Sequence, residues 1–312
     1  MPFLTSVDLL VLDKAAGRKE EARMGVKESV LAGVIWMVLC TGFQAAASGM
    51  VRLLSSDIGV FQLLLFHGLI GTTLMLPYVA RLPSGTMERA RGHLGKYFLR
   101  GFLSFIGMAA SFYAYSVMDI ANVQALLFTT PLFTIFLASL MLKEFVGGRG
   151  WIACFFGFLG ALIIVRPGFI DLNIGSVGAV IAALSFAAAN IVIRKLAVTE
   201  NPVLITLAAN VTIIPFAAVI AVPDWVWPSW DDVPLILLMG LCFMLAQIFL
   251  TMSIGAADAR IVQSINFLRL PWAILFGWLM FAELPDFWTC IGAIVIFAAA
   301  YDVLMREKTV KT

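Results

Sequence analysis

Two ionisable side chains, His67 and Arg269, fall deep inside apolar runs of this 312-residue chain. At about 1.5 Å of rise per residue, Arg269 lies roughly 15–18 Å into its run and His67 roughly 14 Å into its own. A charge at that depth costs at least a few kcal/mol unless it has a partner or a task. The guanidinium offers a planar, two-pronged donor to a carboxylate or another anion. The imidazole, with an ordinary pKa of about 6.5, is a side chain that switches charge. Each also has a plainer reading. Arg269 could bond the backbone carbonyl of Phe267, which Pro271 leaves without its usual donor, and His67 could bond a neighbouring helix.

The acids are placed differently. All 19 Asp and Glu fall in tails, loops or helix ends. A carboxylate at the membrane midplane, common in proton- and sodium-driven carriers, is therefore not expected, and flux should follow the solute gradient. Cys40, Cys154, Cys242 and Cys290 stand singly within apolar runs, and the only histidines are His67 and His93. Neither a metal site nor a disulfide set follows from such spacing. The chain shows no glycine-rich phosphate loop and no nucleophile–base pattern. No cofactor, no metal, no nucleic-acid partner and no enzymatic activity are expected.

Uncharged polar residues line up at helical spacing. Thr41, Gln44 and Ser48 share one side of a helix, as do Arg100, Ser104, Gly107, Ser111 and Tyr115. Gln263 and Asn266 share a side near Arg269, and Asn190 ends another run. Such stripes are either ordinary interhelical contacts between small and hydroxyl residues or the lining of a polar cavity. The cavity reading makes His67, Arg269, Gln44, Ser48, Ser111, Tyr115, Asn190, Gln263 and Asn266 candidate solute contacts. Pro131 and Pro271 either bend their helices for packing or serve as kinks that gate the cavity.

The elements that carry these residues are membrane spans. The chain is 62% hydrophobic and 13% charged, with a mean hydropathy of +0.99; soluble domains carry about 25% charged residues. Ten apolar runs of roughly 17–25 residues, the length a helix needs to cross a bilayer, recur between Ser29 and Leu304, the fourth at Ile120–Leu142 and the ninth at Ala259–Phe281. Period-two alternation, the mark of barrel strands, is missing. The start of the chain shows no apolar segment of the kind a secretory signal needs, so the first span is expected to insert the protein.

Lys and Arg set the orientation, because cytoplasmic loops collect them. Seventeen of the 21 fall on one side, only Arg52 and Arg166 on the other, while Arg100 and Arg269 lie within spans. Both termini are then cytoplasmic. Trp225, Trp227 and Trp230 precede the eighth span on the outer side, where an aromatic belt is expected.

The spans form one unit written twice. Asp119, Gln124 and Glu144 recur 139 residues later as Asp258, Gln263 and Glu283. Pro131 recurs as Pro271, and Gly33 and Arg52 as Gly175 and Arg194. Five spans per unit is an odd number, so the second unit enters the membrane upside down. Inverted repeats allow two nearly equivalent packings around a midplane site. Asp119 is expected to cap the fourth helix. Glu144 and Glu283 are expected to partner the N-terminus of the helix that follows each.

Two five-span units, each with an A-Y/M-S…D-x(4)-Q…P…E pattern before a small-residue-rich closing helix, resemble the drug/metabolite transporter superfamily and, within it, the EamA-type repeat. The resemblance implies an all-α membrane protein of ten transmembrane helices in two inverted five-helix repeats, with tails at 1–28 and 306–312 and repeats at 29–168 and 172–305. It also implies a cavity lined by the third, fourth, eighth and ninth helices. The second helix of such repeats often carries an arginine where His67 stands here. The expected function is secondary transport of small organic metabolites by alternating access, as an exporter or facilitator of amino acids, aromatic ones included. The competing readings are a carrier of a nucleoside-, vitamin- or cofactor-like solute and a non-transporting membrane scaffold. The expected setting is the inner membrane, with a small-molecule substrate and the lipid bilayer as partners and a monomer as the working unit.

Overall fold

A computed structural model describes residues 31–81, 90–142, 148–165, 174–196, 199–256, 266 and 268–306. Gln263, Glu144 and Asp258 lie outside these residues, as does the tail before residue 31. The described chain is helical throughout: α1 (Leu31–Leu54), α2 (Val60–Val79), α3 (Leu94–Val117), α4 (Ile120–Leu127), α5 (Thr130–Leu142), α6 (Gly148–Val165), α7 (Ile174–Leu196), α8 (Pro202–Ala221), α9 (Asp232–Ala256), α10 (Arg269–Phe281) and α11 (Phe287–Arg306). Five of them, α1, α2, α7, α8 and α9, contain stretches long and apolar enough to cross a bilayer, and shorter apolar helices accompany them. In hydrocarbon a helix is favoured because it satisfies its backbone groups internally.

Helix ends follow from local chemistry. Asn201 caps α8 by accepting from the Val203 N–H at 2.9 Å, with Pro202 in the first turn, where the missing N–H costs nothing. Asp286 caps α11 by accepting from the Thr289 N–H at 2.9 Å. That cap was expected of Glu283, three residues earlier, and Glu283 has another partner, described below.

The fourth apolar run does not form one helix with a bend at Pro131. It breaks at Phe128–Thr129, and Pro131 becomes the second residue of α5. A proline withdraws the N–H that would serve the carbonyl four residues back, here that of Leu127. The Thr130 hydroxyl donates to that carbonyl at 2.6 Å, and the Thr129 hydroxyl donates to the Leu126 carbonyl at 2.7 Å. The two threonines thereby satisfy a break that hydrocarbon would otherwise penalise. Pro271 likewise stands in the first turn of α10. Pro131 begins a helix rather than kinking the middle of one; the residues before α10 that would show a kink at Pro271, 257–265 and 267, lie outside the described residues.

Helices far apart in the chain pack together: α2 lies on α8, and α6 on α11. α3 runs against both α7 and α8. In the α6–α11 contact, a Cβ on Gly292 would sit 2.6 Å from the Gly160 carbonyl, and one on Gly160 would sit 2.8 Å from the Gly292 carbonyl. Backbone meets backbone there, the close approach that small residues allow in membranes. Large apolar side chains are exposed on the outside of the bundle. On α7 these are Ile174, Val177, Ile181 and Leu184, one lipid-facing stripe. Trp227 and Trp230 are also exposed.

Candidate functional site

The polar stripe of α1 and the arginine of α10 meet. The Arg269 Nη2 donates to the Gln44 Oε1. One turn along α1, the Ser48 hydroxyl donates to the Gln44 carbonyl at 2.9 Å. From α4 the Gln124 amide donates to the Tyr115 hydroxyl at 2.7 Å and reaches the Ser48 hydroxyl at 3.5 Å. Tyr115, on α3, also lies beside Arg269. Ser48, Gln124 and Tyr115 are buried, with exposures of 1%, 0% and 4%. Four helices from both halves thus supply one hydrogen-bonded centre. Gln44 answers the Arg269 guanidinium, while Phe267, whose carbonyl is the other expected partner, lies outside the described residues.

Two polar atoms of this centre, Arg269 Nε and Gln124 Oε1, are buried without a partner among the described residues, as is Asn266 Oδ1 three positions before Arg269 in the chain. Leaving a buried donor or acceptor unmade costs about 1–3 kcal/mol, so a cluster of them marks a place where a solute can complete the bonds. Gln124 was not among the expected contacts. Its signal in the sequence was a buried amide in an apolar run, recurring as Gln263, which read as a marker of the repeat.

Other expected contacts stand apart from this centre. The Ser111 hydroxyl donates to the Met108 carbonyl of its own helix at 3.0 Å. His67 is buried in an aromatic cage, its ring edge-on to Phe243 at 5.0 Å and to Phe112 at 6.2 Å. Its Nδ1 is buried without a partner among the described residues. Phe112 lies one helical turn before Tyr115, so the cage adjoins the polar centre along α3. Asn190 is exposed on α7 although it points away from the lipid-facing stripe. Asn190 stands in the part of α7 that runs towards Glu200, which accepts from the Tyr97 hydroxyl at 2.8 Å and pairs with His93 Nδ1 at 2.7 Å.

The opposite end is shut. Arg52, at the end of α1, forms a two-pronged pair with the Glu283 carboxylate, one prong at 2.5 Å. It also lies 3.5 Å from Asp119. Asp119 precedes α4 as expected of a cap, but its side chain makes no capping bond. The Arg52 guanidinium rests 4.6 Å from the centre of the Phe281 ring. Beneath it, Met280 and Ile120 press on Gly49. The polar centre lies beneath this plug, one turn and more back along α1 at Ser48 and Gln44.

A separate hollow of about 530 Å³, lined by Leu132, Phe136, Phe158, Leu162, Val177 and Ile181 among others, is almost wholly apolar. Several of its side chains belong to the exposed outer surface. It is a groove on the lipid side and carries no chemistry for a polar solute.

An all-helical bundle with lipid-facing apolar flanks and a buried polar centre shared between its halves defines a multi-pass membrane transporter rather than an enzyme. The chain belongs to the EamA-like transporter family, whose model matches residues 31–166 and again residues 173–305. Among curated relatives, it is 31% identical over 288 residues to a riboflavin transporter of Vibrio cholerae serotype O1, covering 91% of this chain and 96% of that protein. It is 25% identical over 281 residues to an S-adenosylmethionine uptake transporter of Rickettsia felis, covering 90% and 95%. It is also 25% identical over 292 residues to the pseudopaline exporter CntI of Pseudomonas aeruginosa, covering 91% and 99%. One solved structure shares the fold with a TM-score of 0.55 at 14% identity, covering 90% of this chain and 96% of its own.

Proposed function

We propose that the protein carries a planar, vitamin-like solute of the riboflavin class across the inner membrane by alternating access. The observation that carries this reading is that Arg269 Nε and Gln124 Oε1, in the centre where the two halves meet, and Asn266 Oδ1, nearby in sequence, are buried without a partner among the described residues. A flat heteroaromatic solute with an amide-rich edge matches such a set. The Phe112–Phe243 pair, stacked at 5.6 Å beside His67, supplies rings for its faces. The riboflavin-transporter relative agrees in kind.

In this reading ten spans form two inverted five-helix repeats, 29–168 and 172–305, and the polar centre alternates between two packings. The broken helices α4–α5 and α10 begin near it, and the positive N-terminal end of α10 adds to the attraction for an electron-rich group. A second reading, transport of amino acids and aromatic ones among them, is favoured by the Arg269 guanidinium, which suits a carboxylate. Purified protein in liposomes decides. Riboflavin is expected to bind saturably and to exchange across the membrane without a sodium or proton gradient, and phenylalanine is not. Saturable phenylalanine flux with no riboflavin binding would overturn the vitamin reading in favour of the second.

Orientation has its own test. Cysteines placed at Asp57 and Asp232 are expected to react with an impermeant reagent from outside, and those at Arg89 and Thr312 only after permeabilisation. The reverse pattern would overturn both the orientation and the inverted arrangement.

A further inference from the structure

We propose that Arg52, Asp119 and Glu283 form a proton-sensitive outer gate, a clasp that a proton shared by the two carboxylates tightens. The proposal rests on the carrier reading given above and on the orientation that puts Arg52 outside.

The geometry is a three-way one. Arg52 belongs to the end of α1, Asp119 to the turn between α3 and α4, and Glu283 to the segment after α10. The Arg52–Glu283 pair ties the first half of the chain to the second. Its position above the Met280–Gly49–Ile120 plug means that the polar centre cannot open at this end while the pair holds. The three side chains keep contact with solvent, Arg52 at 18%, Asp119 at 40% and Glu283 at 30% exposure. Protons can therefore reach the clasp while it is shut.

The charges do not balance. One guanidinium faces two carboxylates, which are close enough to share a proton. Ionised, the cluster carries a net negative charge, and one bound proton neutralises it. The other acids on these connecting segments have neighbours of their own: Asp57 accepts from the Ser56 hydroxyl and Asp286 from Thr289. Burial first, and then the Glu283 carboxyl, hold Asp119 above the ordinary carboxylate range, and Arg52 offsets only part of this.

The sign follows by linkage. Once the clasp parts, Asp119 loses Glu283 and its pKa falls back towards about 4. The closed state then binds the proton more tightly than the open one. Proton-assisted closure is fully present below that ordinary value and is lost as pH rises through the raised one. Acid outside holds the gate shut, and a more alkaline exterior releases it.

The test reads the gate and not the cargo. Spin labels at Ser56 and Leu284, both exposed, report the width of the outer end in full-length protein in nanodiscs, with the native cysteines replaced and no solute present. One short distance is expected at about pH 5, and a longer population growing several-fold towards about pH 8, a window set above ordinary carboxylate titration. Asp119→Asn leaves one carboxylate per arginine and should keep the short distance at every pH. Arg52→Gln should give the long population at every pH. If Arg52→Gln does not yield folded protein, Glu283→Gln breaks the same tie. A distance that ignores both pH and these substitutions would overturn the gate. A pH response that survives Asp119→Asn would overturn the proton site. Because riboflavin takes no part, failure of the substrate reading leaves this result standing, and failure here leaves riboflavin binding untouched.

Discussion

Replacing Arg269 by Gln is expected to weaken solute binding by roughly one to two decades in a protein that stays folded and monodisperse. A charge-assisted hydrogen bond contributes on the order of 1.5–3 kcal/mol, and Arg269 already spends one donor on Gln44. What remains for a solute includes the buried Nε, which has no partner among the described residues. Arg269→Lys separates the two substrate readings. Lysine keeps the charge but loses the planar fork. A carboxylate-bearing solute should therefore be bound clearly better by the Lys variant than by the Gln variant. A neutral solute that uses two parallel donors should lose nearly as much with Lys as with Gln. Binding of labelled or fluorescent solute to purified variants measures this. Unchanged affinity in a well-folded Arg269→Gln protein would remove the residue from the site.

Gly292→Leu is expected to abolish the α6–α11 contact and to cost about 3 kcal/mol or more, at the upper end of what overpacking a tight contact costs. Even the first carbon of the new side chain would lie 2.6 Å from the Gly160 carbonyl and 2.5 Å from Ile164. A side chain can move to another rotamer, but a backbone carbonyl moves only with its helix. The helices must part. Thermal unfolding followed by size-exclusion chromatography should show an early loss of the monodisperse peak. Gly59→Ala is the control: a Cβ there meets nothing within 4 Å, so its stability should match that of the parent. Equal stability of Gly292→Leu and Gly59→Ala would refute the backbone contact.

Apolar run length made the helices legible, because spanning hydrocarbon leaves a long uninterrupted signal. Helical spacing made half of the polar centre legible: Gln44 and Ser48 share a face, and Tyr115 ends a stripe of its own. The depth of Arg269 pointed to the same place. Gln124 escaped because the property that makes it useful, an amide in an apolar run, also makes it a good marker of duplication. Ser111 shares the Tyr115 stripe, yet its hydroxyl bonds its own helix, a choice that spacing cannot foretell. Pro131 announced a disturbance without saying of which kind. Thr130 beside it helps turn a bend into a break, since its hydroxyl replaces the lost donor. The Arg52–Glu283 pair was illegible for a plainer reason. Its members stand 231 residues apart, and each looked like an ordinary helix-end charge.

That separation bears on how the protein is made. Helices enter the membrane in the order of synthesis, so Arg52 is in place long before Glu283 exists. Until then Asp119 is the carboxylate of the pair that can attend it, and the nascent bundle has only one acid where the finished one has two. The tie closes when the segment after α10 arrives, making it one of the last contacts of assembly. A chain truncated before Glu283 would leave the Arg52 end of α1 untethered, a difference that membrane quality-control proteases can read.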